Sequence, residues 1–268
     1  MGFVAETFLA GLLASLACGL GAVPLVLVRR DALDRRAGSR IGLGYAAAGG
    51  LMLAASFYNL LLPGVMTGPD GERTLDLMQP WPVTQLSGGL LLGAAMIWAV
   101  GRWVTPERLA GRWLRTFGGR ASALVFLSMA FHSIPEGLAV GVGFGAEENH
   151  ASLSGMGVTI ALAIAIHNMP EGLAVALPLR AEGASIGRCF VLATATSLPQ
   201  PVAAVPASLA VWLFEPLMLP FLGFAAGAMI YLVFVELIPE ALVTQPPSAA
   251  AWAVMTGFVL MTLVQIVL

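Results

Sequence analysis

The feature that most restricts this chain is a series of long stretches with little or no charge. Such windows run over 7–28, 41–69, 77–101, 121–146 (broken only by Glu136), 149–179 (broken only by Glu171), 189–214, 216–235 and 241–268. A helix needs about 20 apolar residues to cross a bilayer core, and each window supplies them. Eight spans follow. Lipid offers no water to backbone groups, which rules out irregular lipid-facing chain, and the windows are too long and too uniformly apolar for barrel strands. The expected fold class is therefore an all-α integral membrane protein with eight transmembrane helices. Composition agrees: 58% hydrophobic and 10% charged residues with a mean hydropathy of +0.88 lie far outside the soluble globular range. The partners expected are a lipid bilayer and small ions, with no nucleic acid.

Charge sets the expected orientation. All 13 positive residues are arginine. Twelve of them fall between spans 1 and 2 (Arg29, Arg30, Arg35, Arg36, Arg40), 3 and 4 (Arg102, Arg108, Arg112, Arg115, Arg120), or 5 and 6 (Arg180, Arg188), and only Arg73 falls on the other side. The positive-inside rule then puts both termini outside, in a multi-pass protein of the cell (plasma or inner) membrane. The opposite face carries Asp70, Glu72, Asp76, Glu147, Glu148 and Glu215, either to gather cations or simply as solvated loops that avoid arginine. Cys18 lies inside span 1 and Cys189 at the cytoplasmic start of span 6, so no disulfide is expected between them. LASLACG resembles a lipoprotein cleavage site but lacks a positive n-region, and the apolar run continues to Val28, which reads as a retained first span.

Short connections leave no room for a separate soluble domain, and residues 1–268 are expected to form a single transmembrane domain. Span 2 (GYAAAGG, then NLLLPG) loosely echoes span 7 (GFAAGAM, then ELIPEA). A span five places further on crosses the membrane the opposite way, so the echo fits inverted three-helix repeats around a central pair, spans 4 and 5, the plan of secondary transporters. A homodimer is compatible with the GxxxG at Gly223 and Gly227, although among 31 glycines that pair carries almost no information.

The chemistry is concentrated in HSIPEGLAV (132–140) and HNMPEGLAV (167–175). His132 and Glu136 are four residues apart and share a helix face, as do His167 and Glu171. A carboxylate at mid-bilayer costs at least ~2.5 kcal/mol on insertion scales and needs a partner or water. Antiparallel spans 4 and 5 place His132 level with Glu171 and Glu136 level with His167. If the helices face one another, the four converge as a nitrogen and oxygen set that suits zinc and accepts iron(II), manganese, cobalt or cadmium. Two carboxylates balance one dication. Pro135 and Pro170 free the carbonyls of Phe131 and Ile166 and allow each helix to kink, while Gly137 and Gly172 allow close approach. Ser133 and Asn168 point to an adjacent, weaker second site that shares the glutamates, with Gln200 of LPQPVAAV as its further ligand. A plain interhelical hydrogen bond is the alternative for Gln200. Glu236 and Glu240 in ELIPEAL suit an exit, or a solvated helix end for Glu240. Asn59, and His150 with Glu147 and Glu148, are candidate entrance contacts. The methionines, Met129 and Met169 included, read as packing.

With these residues in view, the chain resembles the ZIP (Zrt/Irt-like) family of divalent metal transporters, nearest its GufA-like branch. The resemblance spans all eight helices, and its specific part is the paired HNxPEG-type motif. It implies a main metal site at His132, Glu136, His167 and Glu171 and a second at Ser133, Asn168 and Gln200 with the shared glutamates. Ser133 stands where many members have asparagine, and Gln200 where many have glutamate; losing that carboxylate leaves a second dication poorly compensated. The resemblance also supplies the direction, inward. The expected function is a metal-ion permease for zinc, with iron(II), manganese or cadmium as further candidates, working by alternating access. No cofactor is expected beyond the transported ion, and acid should compete with metal for its ligands. The rivals are a membrane-embedded metalloenzyme, for which the chain offers no HExxH and no Ser/His or Cys/His pairing, and a non-transporting metal sensor.

Overall fold

The structure is a computed structural model that describes residues 2–26, 30–66, 80–103, 120–181 and 183–267. The described residues are helical almost throughout, with no strand among them, and they form eight rods. The first is α1 (Gly2–Leu20) with a 3-10 turn at Val23–Val26. The second joins α2 (Arg30–Ala55), a π-helical segment (Ser56–Leu61) and α3 (Leu62–Met66). Three unbroken helices follow: α4 (Pro80–Trp103), α5 (Arg120–Asn149) and α6 (Met156–Ala181). The sixth rod is α7 (Ile186–Ser197) and α8 (Pro199–Leu213), broken at Leu198. The seventh is α9 (Met218–Leu232), a second π segment (Val233–Leu237) and α10 (Ile238–Thr244), and the eighth is α11 (Pro247–Val267). Five segments among the described residues, Gly2–Val26, Trp81–Arg102, Ile186–Leu213, Glu215–Thr244 and Pro247–Ile266, are long and apolar enough to cross a membrane by themselves.

Two boundaries differ from the sequence reading. Residues 30–40, read as a loop for their arginines, are the first three turns of α2. Arginine is a good helix former, so charge marks where the chain leaves lipid and not where the helix ends. The seventh rod runs past Glu236 to Thr244, and the break falls at Gln245 and Pro246. The loops expected at 66–80 and 102–120 fall largely outside the described residues.

Local signals place the turns. Gly155 and Gly183 hold φ of +85° and +101° where the chain turns into α6 and α7, a region glycine enters without a Cβ penalty. The Ser185 hydroxyl accepts a hydrogen bond from the Arg188 N–H at 3.2 Å and caps α7. Glu147 accepts from the Gly157 N–H at the opposite end of the fourth-to-fifth connection.

Packing follows a definite neighbour pattern. The first rod lies against the fifth and sixth, the second against the fifth, seventh and eighth, the third against the seventh, and the fourth against the fifth, sixth and seventh. Glycine sets the closest approaches. A Cβ on Gly223 or Gly227 would overlap the carbonyl oxygens of Leu86 and Leu90, so that GxxxG pair packs the seventh rod on the third within one chain. Gly50 and Gly257 join the second and eighth rods in the same way, through Val254 and Ala47. Among the described glycines every such backbone contact stays within one of two sets of rods: first, fourth, fifth and sixth, or second, third, seventh and eighth.

Both chain ends lie at one end of the bundle. The Phe3 and Trp212 rings, 5.7 Å apart, bring the start of α1 beside the end of the sixth rod. Gln265, near the end of α11, shares a cavity with Ser154 of the fourth-to-fifth connection. His150 Nε2 to Glu215 Oε1, 2.8 Å, ties that connection to the sixth-to-seventh one.

Candidate metal centre

Glu136 projects from α5, one residue past Pro135, and His167 and Glu171 project from α6. Glu136 and His167 are fully buried, and Glu171 is 3% exposed. His167 Nε2 lies 3.5 Å from Glu136 Oε1, and one ligand atom each from Glu136, His167 and Glu171 all fall within 4.8 Å of one another. Ligand atoms that share one ion at ~2 Å lie no more than about 4 Å apart, so an inward movement of about 1 Å at most brings all three onto it. His132 sits on α5 one turn before Glu136, and its side chain lies outside the described residues.

Close helix packing makes this convergence. A Cβ on Gly137 would overlap the Gln200 carbonyl oxygen, and one on Gly172 the Cys18 carbonyl oxygen. The polar residues beside the motif anchor the same contacts: Asn168 Nδ2 donates to the Ala14 carbonyl at 3.0 Å, and the Ser133 hydroxyl shares its hydrogen between Thr196 (3.0 Å) and Met129 (3.1 Å) carbonyls. Gln200, fully buried just after the break in the sixth rod, donates from Nε2 to Glu136 Oε2. One Glu136 oxygen is thus held by an amide while the other faces His167.

What remains is a set of buried atoms with no hydrogen-bond partner: Glu136 Oε1, both ring nitrogens of His167, Asn168 Oδ1 and Gln200 Oε1. A buried polar atom left unpaired costs about 1–3 kcal/mol, and here several lie together on neighbouring side chains. Two carboxylates, an imidazole and two amide oxygens are the donor chemistry of a borderline dication.

The remaining sequence-designated residues are dispersed. Glu236 sits half-buried in the second π segment, within electrostatic range of Glu171, and Glu240 is exposed in α10; both lie within electrostatic range of Tyr45 of α2. Glu147 is engaged by the α6 N-terminus, where burial raises its carboxyl above the ordinary range against the pull of the Gly157 and Gly155 N–H donors. His150 is paired with Glu215. Glu147 thus joins the end of α5 to the start of α6, and His150 joins the fourth-to-fifth connection to the sixth-to-seventh one. Asn59 lies in the first π segment, buried, with Nδ2 unpartnered. Sequence reading missed Gln265 and the π segments. The one available signal for the latter was a proline soon after each polar residue, Pro63 after Asn59 and Pro239 after Glu236.

The family model for ZIP Zinc transporter matches residues 115–265. The Zinc transporter GufA of Myxococcus xanthus is 37% identical over 258 residues, 94% of each chain. Zinc transporter ZIP11 of Homo sapiens is 49% identical over 143 residues, 53% of this chain and 42% of that protein, so the chain covers less than half of that relative. Zinc transporter ZIPB of Bordetella bronchiseptica is 35% identical over 230 residues, 82% of this chain and 68% of its own. Those relatives are transporters and not enzymes, and the first of the three aligns with this chain almost end to end. The chain belongs to the ZIP zinc transporter family.

Proposed function

We propose that this chain is a permease that carries a divalent metal ion, zinc foremost with iron(II), manganese or cadmium as lesser cargoes, into the cytoplasm by alternating access. The observation that carries the reading is the buried convergence of Glu136, His167 and Glu171 within 4.8 Å. His132 is the fourth ligand, Asn168 Oδ1 and Gln200 Oε1 with Ser133 form a weaker second site, and Glu236 and Glu240 receive the ion on its way out. Two carboxylates neutralise the ion in the centre, and an inside-negative potential drives it by roughly 4.6 kcal/mol per 100 mV, twice the single-charge value. A metalloenzyme finds no support in the family.

The architecture is one unit of eight spans with both termini outside the cell membrane and inverted three-helix repeats around the fourth and fifth rods. The neighbour pattern supports the repeat. Exchanging rods 1 with 6, 2 with 7, 3 with 8 and 4 with 5 returns the same pairs: 1–5 becomes 6–4, 2–8 becomes 7–3, and 2–5 becomes 7–4. The exchange also carries the Gly172 contact with Cys18 onto that of Gly137 with Gln200. It carries the Asn168 bond to Ala14 onto the Ser133 bond to Thr196.

Zinc uptake into vesicles reconstituted with the purified chain tests the function. The unmodified chain is expected to accumulate zinc under an inside-negative potential. Glu136→Ala and Glu171→Ala are expected to lose uptake while eluting as folded protein, and normal uptake by either variant overturns the site.

A further inference from the structure

A cavity of about 400 Å³ opens between the second, fifth and eighth rods at the end of the bundle that holds both termini, which the proposal above places outside. Its wall includes Tyr58 and Asn59 of the first π segment, Ser154 and Thr159 of the fourth-to-fifth connection and α6, and Gln265 of α11. No residue of this wall is charged. Two of its amides are unsatisfied: Asn59 Nδ2 and Gln265 Nε2 are buried without a partner, and Asn59 as a whole is 5% exposed. A primary amide presents oxygen or nitrogen by a half-turn about its last bond, and no hydrogen bond from either nitrogen opposes that turn.

Size gives the cavity a use. Six waters at their share of liquid volume, ~30 Å³ each, occupy roughly 180 Å³, so a fully hydrated dication fits with its shell intact. Directly beyond lies a void of about 10 Å³ bounded by Ala55, Leu60, Ile164 and Met229, with Asn59 and Ile160 common to both. That is the room of at most about one water. Ile164 is three residues before His167 on α6, so the narrow void points along the fifth rod to the metal centre. A hydrated ion cannot pass this apolar layer. Water must be removed on its near side, and the groups placed there to compensate are neutral amides and hydroxyls.

We propose that the Asn59 and Gln265 amides form a dehydration station, which takes a hydrated dication from solution and exchanges part of its water shell for amide oxygen before the ion reaches Glu136, His167 and Glu171. The inference rests on the transport reading. Neutral donors suit the task because they hold an ion weakly and release it onward, as passage requires. Oxygen donors alone select poorly among dications, which leaves the choice of zinc to the imidazole beyond.

Initial zinc uptake rates in reconstituted vesicles, fitted for KM and kcat, test it together with equilibrium zinc binding to the solubilised chain. Gln265→Leu and Asn59→Leu are expected to raise KM about fivefold, the scale of one lost hydrogen-bonding contact, with kcat within about twofold and zinc binding at the centre unchanged. Gln265→Glu, nearly isosteric and therefore the variant to rely on if the leucine forms misfold, is expected to lower KM. An unmodified chain that carries zinc while both leucine variants keep its KM, or while Gln265→Glu leaves KM unchanged, overturns the station and spares the transport reading. A loss of equilibrium binding in step with KM assigns both amides to packing and also overturns it. An unmodified chain that carries no zinc overturns both readings together.

Discussion

At Gly172 the fifth rod meets the Cys18 carbonyl with no room for a side chain, and Glu171 is the next residue back. The backbone contact and the ligand are therefore set by one local geometry. Gly172→Ala forces the two rods apart, with the cost of an overpacked interior position, about 1–3 kcal/mol. The expected result is a lower melting temperature in detergent and weakened zinc binding. Gly187→Ala in α7 has nothing within 4 Å of the added methyl and is expected to leave both unchanged or to gain slightly from helix propensity. Calorimetry and zinc titration on the two variants check the contrast. Glu136, His167 and Glu171 were readable in the sequence because two copies of one motif place costly groups in lipid at the same spacing. Gln265 was not, since a single glutamine near the end of an apolar span has no periodic or chemical signature until the cavity beside it is seen.

At the scale of the element, the apolar windows foretold all eight rods because the bilayer removes every competitor to the helix. The interior of a rod was harder to read. Each π segment shifts the hydrogen-bond register by a single residue, which changes hydropathy not at all. In both, the N–H after the segment, that of Leu62 or Ile238, reaches back five residues, to Phe57 or Val233, and a proline comes next. Proline has no N–H to restore the α register, so it fixes the shift in place. Single-turn π segments are frequent at functional sites, and here they carry Asn59 and Glu236. Pro239→Ala supplies the missing N–H. The expected result is a seventh rod of higher thermal stability and slower zinc uptake; unchanged values for both would show that the shift serves only packing.

For the whole molecule, orientation rests on arginine placement, and labelling checks it. With Cys18 and Cys189, both buried, replaced by serine, a membrane-impermeant maleimide added to intact cells is expected to modify Ser154→Cys. Gly187→Cys is expected to react only after permeabilisation, and the reverse pattern would invert the proposed topology. The repeat we propose left only a faint echo in the sequence, between spans 2 and 7, and the single domain was expected from short connections alone. What supports the proposed repeat is which rods touch, and no sequence pattern records that. The division of glycine contacts into two sets has a mechanical consequence. Where backbones interlock at van der Waals distance, sliding is blocked, so the seam that can shear runs between the sets. Glu136, His167 and Glu171 all ride on one side of it, whereas Asn59 and Glu236 stand on the other. A displacement along that seam would carry the ligands and their load past fixed stations without taking the load's cradle apart.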